Sequence, residues 1–159
     1  MRKTQKDKSI LKKQVIDILI TMVIIGVFSL IMAIVSLYYS VGNYGMELFW
    51  SYLKYKKLIF FHFLPVFCIS SILFFTTNRL DFSCGFTGTL VLLLTWINYF
   101  KLKFRDDPFL FSDFFIVSEA KNMVGEYNIT LTAGMVACIF VLLLVIAGLH
   151  FIKRKINVK

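Results

Sequence analysis

The chain has 159 residues, 58% of them hydrophobic and 18 of them phenylalanine, and its mean hydropathy is +0.78. A soluble domain of this size carries about 45–50% apolar residues broken up by polar faces. Here the charged side chains sit in short clusters between uncharged stretches of 29, 21, 19 and 26 residues (18–46, 58–78, 82–100 and 127–152), which excludes an ordinary soluble domain. The net charge of +9 does not point to nucleic acid, because the basic residues lie at the ends of the apolar runs and no soluble basic module remains without them.

A hydrocarbon core about 30 Å thick takes about 20 helical residues, so each stretch is long enough to cross it. The expectation is an all-α integral membrane protein with four transmembrane helices, at about 16–40, 58–78, 82–100 and 129–152. A lateral amphipathic helix is expected between the third and the fourth. Cys68, Cys84 and Cys138 are an odd count with no C-x-x-C spacing. They support neither a disulfide framework nor a metal site and read as small apolar groups.

In chain order, residues 1–14 (MRKTQKDKSILKKQ) hold six basic side chains against Asp7 and form a basic cytoplasmic N-terminus, with residues 15–159 as one polytopic membrane domain. A cleaved secretory signal is excluded. Its apolar region spans only about 7–15 residues, and Leu37-Tyr38-Tyr39 offers no small-residue cleavage site. Asp17 stands one turn inside the run, close enough to the interface to stay solvated. The first span ends near Tyr38, Tyr39 and Tyr44, an interfacial aromatic belt. The connection that follows mixes Phe49, Trp50, Tyr52 and Tyr55 with Lys54, Lys56 and Lys57, which suits a segment in the headgroup region. Whether those lysines only anchor it or also hold a lipid phosphate stays open at this level.

The second span carries His62 and Pro65 early, so Pro65 either kinks the helix or sits in its opening turn. Residues 78–81 are short enough to make the second and third spans an antiparallel hairpin. Gly85 and Gly88 in the third span are small residues of the kind that let membrane helices approach closely. The fourth span ends in Lys153, Arg154 and Lys155. Four crossings return the chain to its starting side, with eleven Lys and Arg on that side and seven on the other. The bias has the sign of the positive-inside rule, so both termini are expected in the cytoplasm and the protein in the plasma membrane.

Residues 101–127 then lie outside and divide at Pro108. Lys101, Lys103 and Arg105 alternate with apolar residues, either as an extended piece or as a helix end at the headgroups. Pro108 disfavours helix before it, and a helix can restart at Ser112 or Asp113. Beyond, Ile116, Ala120, Met123, Val124 and Tyr127 share one face and Glu119, Asn122 and Glu126 another, which is the lateral helix. Three readings stand. Lys101, Lys103 and Arg105 bind the phosphate of an anionic lipid; or Asp106, Asp107, Asp113 and Glu119 bind a divalent cation; or the charges are solvated and paired internally, Arg105 with Asp107 for example.

Asn98, then Lys101-x-Lys103-x-Arg105-x-x-Pro108-x-x-x-x-Asp113, then Glu119-Ala120-x-Asn122-Met123 resemble the membrane region of lipoteichoic acid synthase-like phosphoglycerol transferases. The resemblance covers about thirty residues closely, and the rest through span count and topology. Asp106-Asp107 replaces the Gly and acid common in the family, and Phe111 a second Pro. The resemblance implies five membrane helices followed by an extracellular alkaline-phosphatase-like domain. In that domain a threonine nucleophile and a divalent metal such as manganese move glycerol phosphate from phosphatidylglycerol. The 159 residues contain neither a fifth span nor that domain, so no catalytic residue and no metal site is carried over. The expected function is a truncated membrane-anchoring module that is not catalytic alone. Its expected partners are membrane lipids, among them phosphatidylglycerol, and other envelope-synthesis membrane proteins. An alternative is a small four-helix lipid-carrier translocase or accessory protein of cell-envelope polysaccharide synthesis. It calls for polar residues lining a path, and the spans offer little beyond Ser and Thr. A holin-like or purely structural role leaves the pattern from Lys101 to Asn122 unexplained.

Overall fold

Where the sequence runs long without charge, the backbone satisfies its own hydrogen bonds as helix. The computed structural model describes residues 2–41, 45–110, 112–113 and 130–152, with the backbone alone for 2–11, 13 and 152. Five helices result: α1 (Arg2–Ser40), α2 (Met46–Lys54), α3 (Lys56–Thr77), α4 (Leu80–Arg105) and α5 (Ala133–Ile152), with no strand among the described residues. Four of them are long and apolar enough to cross a membrane, over Gln14–Ser40, Lys56–Thr77, Leu80–Arg105 and Ala133–Phe151.

The bundle is built on α4, which packs against α1, α3 and α5, while α1 and α3 also pack together and α2 rests on both. Its inward faces carry small side chains, with Ser83, Cys84, Gly85, Thr87, Gly88 and Thr95 all buried. Around them close Ile25, Phe28 and Met32 of α1, Val66 and Phe74 of α3, and Leu142 and Leu149 of α5. Gly88 marks the tightest approach. A Cβ there would lie 2.6 Å from Leu142 Cδ1 and 3.0 Å from Phe28 Cζ. At Gly85 it would meet Ile146 Cδ1 at 3.2 Å. Close backbone approach of this kind maximises dispersion contacts between helices. The large apolar side chains that remain, such as Val23, Phe61, Phe75, Phe140 and Leu143, point outward and are exposed.

Two left-handed residues set the helix ends. Asn78 (φ 53°, ψ 29°) stops α3 with its N–H on Phe74 O, and Arg79, in extended conformation, leads straight into α4. Asp106 (φ 52°, ψ 29°) stops α4 with its N–H on Leu102 O. Asn and Asp tolerate this conformation better than other non-glycine residues. Pro65 lies inside α3, well beyond its opening turn, and is exposed. It withholds one N–H from the carbonyl of Phe61.

Several boundaries differ from those expected. α1 runs without a break across the boundary at residue 14. The first connection is a helix of its own, α2. Of the two readings of residues 101–105 the structure has the helix end: α4 continues through Lys101 and Lys103 to Arg105, since long cationic side chains end a span without ending its backbone hydrogen bonding. α5 begins at Ala133 rather than at 129, with Thr132 in the N-cap position accepting the N–H of Val136 at 3.2 Å. Ser112 and Asp113 are in helical-turn conformation. The expected lateral helix beyond them, with Glu119 and Asn122, falls outside the described residues, as do Tyr44, Lys153, Arg154 and Lys155.

Gly88→Val inserts side-chain atoms where Leu142 and Phe28 already stand, and should destabilise the bundle by about 1–3 kcal/mol. Gly148 has nothing within 4 Å of its would-be Cβ. Gly148→Ala should therefore leave the midpoint of thermal unfolding in detergent unchanged or slightly raised, while Gly88→Val lowers it.

Candidate functional site

At the C-terminal end of α4 the chain turns back on the helix it has just left. Asp106 ends the helix, and the next residues would expose a row of backbone polar groups. Several of these are met by a side chain or by the segment itself. Pro108 has no N–H to satisfy, and its carbonyl accepts from Lys101 Nζ at 2.9 Å. The N–H of Phe109 donates to Asn98 Oδ1 at 2.9 Å. The N–H of Leu110 donates to Asp113 Oδ2 at 2.7 Å, while Asp113 N–H donates to Leu110 O at 3.0 Å. Asn98 and Lys101 stand one turn apart on α4, so both reach the returning segment from the same face.

Lys101 is the centre of this clasp. Its ammonium lies 2.7 Å from Asp113 Oδ2 and 3.0 Å from Asp107 Oδ2, and its side chain is only 12% exposed. An ammonium has three N–H donors, and the three acceptors here are the two carboxylates and the Pro108 carbonyl. The hydrogen bond from Lys101, then that from Leu110 N–H, hold the Asp113 carboxyl below the usual carboxylate range, with Arg105 adding to the effect at longer range.

The sequence-predicted residues therefore separate. Asn98, Lys101, Pro108 and Asp113 come together in one hydrogen-bonded unit, joined by Asp107. Lys103 and Arg105 do not join it and are exposed, Lys103 with its ammonium 5.9 Å from the centre of the Phe104 ring. The expected pairing of Arg105 with Asp107 is replaced by Lys101 with Asp107. The helix carries Lys101 towards the returning segment, and its ammonium lies between both acids. The divalent-cation reading meets that ammonium between Asp107 and Asp113, where a second cation would be repelled. Among the described residues no three His, Cys, Asp or Glu side chains are grouped to hold a metal ion.

Two further features were not read from the sequence. At the other end of α4 the buried Asp81 accepts from Arg79 Nη2 at 3.4 Å and faces His150 Nδ1 at 3.2 Å, tying the end of α5 to the start of α4. In the sequence, residues 78–81 read only as a short connection, and a partner 69 positions away leaves no signature there. Near the clasp, Tyr38, Tyr39, Phe49, Tyr99, Thr132 and Gly134 help to line a cleft of about 510 Å³. Tyr39 packs edge-on to Tyr99, and its hydroxyl lies 3.9 Å from Cys138 Sγ.

Compared with protein-family models, curated proteins and solved structures, the chain matches none.

The clasp makes a residue-resolved prediction for amide exchange. Asp113→Asn should speed exchange of the Leu110 N–H about tenfold, Asn98→Ala that of the Phe109 N–H, and Lys101→Met both. Unchanged exchange in Lys101→Met would show that the lysine does not hold the segment. Because the folded state favours the ionised Asp113, its contribution is complete above the ordinary Asp pKa of about 3.9. It is lost only as pH falls through the lower folded value. The Leu110 N–H should accordingly stay protected through mildly acidic pH.

Proposed function

We propose that the chain is the membrane-anchoring module of a lipoteichoic acid synthase-like phosphoglycerol transferase, acting in the synthesis of a cell-envelope glycerol-phosphate polymer. In this reading the four long helices span the plasma membrane. The N-terminus of α1 and the C-terminus of α5 face the cytoplasm, and the clasp lies outside at the level of the headgroups. The module positions the segment after α4 and does no bond chemistry itself. Any divalent metal belongs to a catalytic domain of the kind the family carries.

The observation that carries this reading is the convergence of the motif. Asn98, Lys101, Pro108 and Asp113 all belong to the pattern that carries the family resemblance, and they share one hydrogen-bond network. Residues 106 and 107, where the family carries a Gly and an acid, fit the same network. Residue 106 is left-handed, where Gly is at home and Asp is tolerated. Residue 107 keeps the acid, and that acid meets Lys101. Phe111, Glu119 and Asn122 lie outside the described residues and add nothing to the argument.

The membrane placement draws on the polar ends of α4. From Asp81 to Lys101 an α-helix rises about 30 Å, the thickness of the hydrocarbon core, so one polar cluster would sit at each boundary. Lys103 and Arg105, exposed beyond the clasp, are the side chains free to meet lipid phosphates, with Arg the better bidentate partner. The translocase reading asks for a polar path. The buried hydroxyls of Thr21, Ser29, Ser70, Ser83, Thr87 and Thr95 lie in the bundle interior, and none of them lines the cleft.

Two measurements test the proposal. The purified chain in phosphatidylglycerol vesicles should release no diacylglycerol above a protein-free control; release would sink the anchoring role. A single cysteine at Asp107, in a chain without Cys68, Cys84 and Cys138, should react with an impermeant maleimide in intact cells. Labelling only after lysis would reverse the topology.

A further inference from the structure

α2 is too short to cross a bilayer, since an α-helix of nine residues rises only about 13 Å. It rests on α1 and α3. If those two helices span, as proposed above, the outward side of α2 lies along the membrane surface. That side carries the stripe Met46, Trp50 and Lys54, spaced four residues apart, with the exposed Glu47 beside it and Met46 also at the edge of the cleft. The stripe continues through Tyr55 into Lys56 and Lys57 at the start of α3. All seven are exposed, Trp50 by 60% and Tyr55 by 66%. The stripe is apolar and aromatic at one end and cationic at the other.

Two electrostatic details bear on what covers it. The first turn of α3 holds two lysines and no acid, so like charges crowd the positive end of that helix. On α2 itself the one acid is Glu47, two turns away from Lys54. We propose that α2, Tyr55 and the first turn of α3 form a docking surface for anionic phospholipid headgroups. Lys54, Lys56 and Lys57 meet the phosphates, while Trp50 and Met46 insert at the acyl boundary. The recognition is by charge and not by the identity of the headgroup alcohol. This inference rests on the membrane placement and extends it to a lipid preference at one surface.

Trp50 reports its own surroundings once Trp96 is replaced by Phe. The full chain carrying Trp96→Phe is placed in phosphatidylcholine bilayers that contain a minor share of one brominated lipid: phosphatidylcholine, phosphatidylglycerol or phosphatidylserine. Both anionic lipids should quench Trp50 about threefold more than brominated phosphatidylcholine at equal share. The difference should vanish in about 1 M salt, where the Debye length is about 3 Å. Lys54, Lys56 and Lys57 changed together to Gln should bring the ratio to unity, and Glu47→Gln alone should raise it. Equal quenching by all three lipids would overturn the inference and leave the membrane placement intact. Excess quenching by only one of the anionic lipids would overturn recognition by charge. Quenching by none of them would sink the membrane placement, and this inference with it.

Discussion

The close approach of α4 to its neighbours is the constraint on which the bundle depends. Packed helices lie about 8–10 Å apart depending on the side chains at the contact, and Leu or Phe on every side would hold partners farther off than Gly does. α4 instead turns Gly85 and Gly88 towards α5, and Gly88 also towards Phe28 of α1. Ser83 donates from α4 to the carbonyl of Ser70 on α3. One helix thus serves three neighbours with three different small-residue contacts. α5 has α4 as its main support among the described helices, and so is held by the fit of Leu142 and Ile146 over two glycines. In a lipid environment apolar surface alone does not drive helices together, so this fit and the polar contacts at the ends carry the specificity.

Those polar contacts sit at the two ends of the same helix. At its start Asp81 draws in Arg79 and His150, and at its finish Asn98 and Lys101 draw in the returning segment. Between them the buried polar groups are mostly hydroxyls, with the indole N–H of Trp96. The buried Thr21 bonds back to Asp17 O on its own helix, as the exposed Thr89 does to Gly85 O. A hydroxyl bonded in this way costs little in an apolar environment, whereas a charge costs several kcal/mol unless paired. The distribution of polar chemistry along α4 follows from that difference.

Composition and spacing made much of this legible. The number of long helices follows from the uncharged runs, and the hairpin between α3 and α4 from the short interval at Asn78. The close contacts at Gly85 and Gly88 follow from residue size. Asn98, Lys101, Pro108 and Asp113 stand out as a set only through the resemblance to a family pattern, not through composition or periodicity. What the spacing did not contain was direction. Alternation of Lys101, Lys103 and Arg105 with apolar residues looks like one cationic arm, yet on a helix those positions are about 200° apart at each step. Lys101 is carried inward and Lys103 away from it. Long-range partners were equally hidden, because the pairing of Asp81 with His150 or Tyr39 with Cys138 depends on how separate helices come together.

The identity of residue 101 then explains what the clasp can bind. Its three acceptors belong to a side chain from Asp107, a backbone carbonyl from Pro108 and a side chain from Asp113. A lysine ammonium directs three donors to different sides of one compact charge. An arginine would present a planar fork suited to two parallel oxygens of a single carboxylate or phosphate. The pattern of acceptors is the lysine pattern. One positive charge also faces two negative ones, so the clasp is not a place where a lipid phosphate gains by entering. The exposed cations at this end of the bundle lie outside the clasp: Lys103 and Arg105 on α4 and the lysines where α2 meets α3. Under the proposed function these are the groups that would meet phosphate. The clasp fixes the chain, and the cations around it stay exposed.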